Sequence, residues 1–73
     1  MGKKGQRYAV LQRNGFIVAV IGNTYTGTGF VGLSDGVKVT GRLAEYDQRN
    51  NSVTLEDERG QWHSVIPSTL REP

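Results

Sequence analysis

The clearest pattern in the chain runs over residues 37–46. Val37, Val39, Gly41, Leu43 and Glu45 alternate with Lys38, Thr40, Arg42, Ala44 and Tyr46. The first set is mostly apolar and the second mostly polar, the period of two of a half-buried strand. A strand this long in a small domain has to bend, and Gly41 is the expected corner, because a glycine inside a strand often marks one. Residues 16–21, FIVAVI, form a continuous apolar run rich in β-branched side chains, which predicts a buried strand. Residues 30–33, 52–56 (with Val53 and Leu55 inward) and 61–66 predict three more strands. In the last, Trp62, Ser64 and Ile66 share one face and Gln61, His63 and Val65 the other, which places Trp62 in the core or at a subunit contact. Pro67 ends that strand because it has no N–H for a ladder. Pro67-Ser68-Thr69 then predicts a tight or 3-10 turn, and Leu70 a short final strand returning to the core.

The punctuation between these runs is mostly glycine with a polar partner. Asp35-Gly36 is a hairpin signal, and so is Asn14-Gly15. Residues 7–13, RYAVLQR, fit either a strand entering that hairpin, the preferred reading, or a short helix stopped by Asn14-Gly15. Residues 22–29, GNTYTGTG, predict a loop or an irregular hairpin tip. Residues 47–51 predict a polar loop and residues 57–60, DERG, a charged turn. Residues 1–6, MGKKGQ, predict a flexible basic arm, and residues 7–73 a single domain. Five or six short strands joined by short turns give an all-β fold, a small and strongly bent barrel or sandwich.

Composition sharpens this picture. A 73-residue chain with 36% hydrophobic residues builds only a marginal core. It has no cysteine and a single histidine, which excludes disulfides and a histidine or thiolate zinc site. Barrel edges and self-association are then the expected means of completing the fold, as a homo-oligomer. A net charge of +2 permits a nucleic-acid partner without requiring one. No apolar run is long enough to span a membrane as a helix, and a cytoplasmic location is expected. Catalytic signals are weak. His63 has serines at 34, 52, 64 and 68 and aspartates at 35, 47 and 57 elsewhere in the chain, but a triad is defined by geometry and not by spacing. It reads best as a strand residue facing solvent or a polar interface. Glu56, Asp57 and Glu58 read as a charged hairpin tip. Residues 27–32, GTGFVG, match G-x-G-x-x-G without the helix that a dinucleotide site requires. No cofactor, metal or catalysis is expected.

Residues 31–55 carry the most specific pattern. Asp35-Gly36, Val39, Gly41, Leu43, Tyr46, Asp47 and Asn51, followed by Val53 and Leu55, resemble the first signature of the Sm and Sm-like proteins, which include the bacterial host-factor RNA chaperone. The likeness covers about a third of the chain. It implies a small, strongly bent five- to six-stranded Sm/SH3-like barrel, with a short N-terminal helix or an extra hairpin. It also implies a homo-oligomeric ring of six or seven subunits that binds single-stranded U- or A-rich RNA without catalysis. The RNA site it implies is Tyr46, Gln48, Arg49 and Asn51, with His63 in support; Asn51 stands at the base-reading position. A cluster of hydrogen-bonding side chains in a loop is what single-stranded RNA recognition uses. The second signature departs: Ile66-Pro67-Ser68 stands where the family has Ile-Arg-Gly. The family's first strand falls either on residues 16–21 or on residues 30–33. The alternative is an SH3-like protein-interaction or assembly module without RNA, since residues 65–70 also resemble the strand, 3-10 turn and strand that close SH3-like barrels. The aromatics such a module needs are scattered along this sequence: Tyr8, Phe16, Tyr25, Phe30, Tyr46 and Trp62.

Overall fold

The computed structural model describes residues 4–30 and 32–73. Apolar side chains facing a common centre organise them into two antiparallel sheets. The first is a hairpin of β1 (Arg7–Gln12) and β2 (Gly15–Val20). Gln12 already pairs with Gly15, so Arg13 and Asn14 make the turn, one residue earlier than the Asn-Gly signal suggests. The helical alternative for residues 7–13 is not adopted. Tyr8, Val10, Ile17 and Ala19 face the core, whereas Ala9, Leu11, Phe16 and Val18 face outward. The expected burial of residues 16–21 is therefore corrected to one face only, because a two-stranded sheet has a packing layer on a single side. The basic arm is shorter than expected as well: the Gly5 N–H donates to the Ile21 carbonyl and the Ile21 N–H to the Gln6 carbonyl. Residues 1–3 of that arm lie outside the described residues.

The second sheet is a meander of β3 (Thr24–Thr28), β4 (Lys38–Asp47), β5 (Ser52–Glu56) and β6 (Trp62–Val65). The segment expected to be a loop, residues 22–29, supplies β3, with Tyr25, Thr26 and Gly27 buried. Threonine and tyrosine favour a pleated surface, and two of the glycines that suggested a loop serve close packing. A Cβ on Gly29 would collide with the backbone of Ser34, and one on Gly27 would press on Val65. The strand expected over residues 30–33 is replaced by a 3-10 turn, Gly32–Ser34. Val31 lies outside the described residues.

Val39 and Leu43 point inward from β4 as the alternation requires, but the register shifts between Leu43 and Glu45. Ala44 is the extra residue of a β-bulge, and a bulge reverses the inward–outward phase of the residues beyond it. Tyr46 is buried in place of the expected Glu45, and Val37 is exposed. The ladder thus breaks three residues beyond Gly41, the expected corner.

Single bridges join the parts where a closed barrel would have ladders: Gly29 with Val65 and Thr26 with Arg71. The 3-10 turn expected at Pro67–Thr69 forms. Leu70 is buried as expected, though only the Arg71 bridge stands for the short strand. The core comprises Val10, Ala19 and Ile21 from the hairpin side, Tyr25, Val39, Leu43, Tyr46, Val53, Leu55 and Val65 from the meander, and Leu70. No helix among the described residues is long and apolar enough to cross a membrane.

Candidate functional site

Three turns meet at one end of the molecule, held by side-chain amides. Gln12 donates from Nε2 to the carbonyls of Leu70, at 2.8 Å, and Pro67, at 3.1 Å. Asn51 donates from Nδ2 to the Leu11 carbonyl at 3.3 Å. The β1–β2 turn, the β4–β5 turn and the Pro67–Thr69 turn are thereby tied together. Two shallow clefts open here. One, of about 360 Å³, is lined by Tyr8 and residues 45–49. The other, of about 250 Å³, is lined by residues 12–16 and Ser68.

The β4–β5 turn is shaped by Asp47. Its Oδ1 accepts from the Arg49 N–H and its Oδ2 from the Asn50 amide, both at 3.0 Å. Gln48 and Arg49 are left at the exposed tip. Among the described residues, the guanidinium groups of Arg49 and Arg13 have no ion-pair or hydrogen-bond partner. The carboxylate-rich stretch, Glu56, Asp57 and Glu58, closes β5 at its opposite end.

The structure brings only part of the expected RNA site to this tip. Gln48 and Arg49 lie at it, open to solvent. Asn51 sits beside it with φ +49°, and its amide is already used at both ends, since its Oδ1 accepts from the Tyr46 hydroxyl. Tyr46 is buried, with its ring tilted against Tyr8 at 5.3 Å between centroids, so its face is packed. His63 is elsewhere. It pairs with Leu55, three residues along β5 from Ser52, a separation of about 10 Å. Arg13, which the sequence pattern did not single out, joins the end because Gln12 and Asn51 clamp the β1–β2 turn there.

His63 belongs to a second constellation. Its Nε2 lies 2.7 Å from Asp57 Oδ2 and its Nδ1 lies 3.0 Å from Ser34 Oγ. The carboxyl of Asp57 is held below its usual range, chiefly by the His63 hydrogen bond. Burial acts the other way, and the N–H groups of Gln61 and Arg59 add to the lowering. An ionised carboxylate only accepts, so Nε2 is the nitrogen that donates to Asp57, and Nδ1 faces the Ser34 hydroxyl. Ser34 and His63 also line a cleft of about 520 Å³ with Phe30, Gly32, Gln61, Trp62 and Ser64. Phe30 and Trp62 are 56% and 52% exposed there, so two of the aromatics scattered in sequence share one wall, and Trp62 is outside the core. Spacing carried no signal for this meeting of residues 34, 57 and 63, because the 3-10 turn at Gly32–Ser34, the β5–β6 turn and strand β6 have to pack together to create it. Compared with protein-family models, with curated proteins and with solved structures, the chain finds no match in any of the three.

Proposed function

We propose that the chain is a single-stranded-RNA-binding subunit of a homo-oligomeric ring, built on a strongly bent Sm/SH3-like barrel. The observation that supports this best is the pair of guanidinium groups, Arg13 and Arg49, that have no partner among the described residues, on the end where three turns are clamped together. A guanidinium plane stacks on a base as readily as it meets a phosphate, and Gln48 and Asn14 offer amides beside it. The site so described keeps Gln48 and Arg49 and adds Arg13. It assigns Tyr46 and Asn51 to supporting the turn, and it leaves His63 out. Repetition around a ring multiplies a weak single contact, provided one strand reaches successive sites. The RNA is bound and not altered.

Oligo-U or oligo-A is expected to bind at ~50 mM salt and to weaken steeply as salt rises, since phosphate contacts release counterions. The Arg13→Ala, Arg49→Ala double variant should lose most of that affinity and keep its melting temperature. Absence of binding to both oligomers at low salt would overturn the reading. A second reading, an assembly module without RNA, is favoured by one specific feature. The outer face of the hairpin presents Leu11 at 63% and Phe16 at 62% exposure, directly opposite each other, next to Val18. Exposed apolar clusters of this kind mark contact surfaces.

A further inference from the structure

The Ser34, His63 and Asp57 side chains form a hydrogen-bonded series at the wall of a cleft. From this we infer that Ser34 is an activated nucleophile that takes the acyl group of small, uncharged, activated esters. Four observations support the assignment. The Asp57 carboxylate engages Nε2 at 2.7 Å, so Nδ1 is the ring nitrogen turned to Ser34. That nitrogen is 3.0 Å from the Ser34 Oγ, within the reach a general base requires. Asp57 is itself fixed by the N–H groups of Arg59 at 2.8 Å and Gln61 at 3.0 Å, so His63 is oriented by a rigid partner, which is the logic of activated serines on unrelated folds. Ser34 and His63 share their cleft with exposed Phe30 and Trp62, apolar walls against which an acyl chain can lie.

The reaction balances without any co-reactant but water. The Ser34 Oγ bonds to the ester carbonyl carbon as its proton passes to His63 Nδ1. The bond from that carbon to the alcohol oxygen breaks, and the departing alkoxide takes the proton. Water then loses a proton to Nδ1 and attacks the acyl-serine; Oγ leaves and is reprotonated, giving acid and alcohol. Base catalysis of this kind supplies about 10²–10⁴-fold, which is why the substrate class is activated esters. The site is separate from Arg13 and Arg49, so it stands or falls independently of RNA binding.

The test uses the full chain. A fluorophosphonate probe should add one adduct, found on Ser34 by peptide mass mapping, and exposed Ser52 and Ser68 should remain unmodified. Hydrolysis of 4-nitrophenyl butyrate should fall at least about tenfold in Ser34→Ala and in Asp57→Asn. Trp62→Ala should remove a preference for butyrate over acetate. Melting temperatures read alongside separate loss of chemistry from loss of fold. If Ser34→Ala unfolds, the adduct site in the unaltered protein decides. An adduct on His63, labelling spread evenly over the serines, or no labelling at all would each overturn the assignment and leave the three residues as a latch between turns.

Discussion

Asp57 and His63 are joined at 2.7 Å across the β5–β6 turn, and the hydrogen bond holds the Asp57 carboxyl below its ordinary value of 3.8. A carboxyl depressed in the folded state stabilises the fold above its unfolded pKa. That contribution is lost as pH falls through the lower, folded value. Urea midpoints for the parent chain and for Asp57→Asn should therefore differ at neutral pH and converge below about pH 4. A constant difference down to the acid limb would show that Asp57 acts by shape alone.

Gly41 is required by the carbonyl of Glu56 and the N–H of Asp57, which occupy the space a side chain would fill. Replacing a strand glycine with alanine ordinarily stabilises by about 0.5–1 kcal/mol. Gly41→Ala should instead destabilise by about 1–3 kcal/mol, the usual cost of overpacking. Gly36→Ala is the comparison for a glycine kept by its positive φ of +78° with open space around it. Chemical denaturation measures both.

Asn51 combines a left-handed backbone with an amide that bridges Tyr46 and Leu11. Asn51→Ala should cost about 2 kcal/mol, from the two lost amide hydrogen bonds and an unfavourable φ. Asn51→Gly should cost about half of that, because only the amide is lost. Equal costs in thermal melts would mean that the backbone conformation carries no strain.

The Leu11 and Phe16 pair should report self-association. Phe16→Lys leaves the core untouched, since the side chain faces outward. Light scattering should show a lower mass for this variant than for the parent, with unchanged melting of the monomer fold. Equal masses would place the subunit contact elsewhere.

Much of this architecture was legible in the residues themselves. Period-two alternation marked β4 and β5, and Pro67 marked the end of β6, whose last residue is Val65, because those signals depend only on neighbours along the chain. Asp47 shapes its turn for a similarly local reason. What the sequence could not determine is whatever depends on one segment approaching another. The glycines of residues 22–29 read as a loop because nothing local shows that Ser34 and Val65 press against them. The bulge at Ala44, which exchanges Glu45 for Tyr46 in the core, arises from pairing with β5. Arg13 reaches the Arg49 end only because Gln12 and Asn51 bond across separations of 40 to 58 residues. His63 left that end for the same kind of reason: its partners, Ser34 and Asp57, come from turns that only the packed sheet brings within hydrogen-bonding distance.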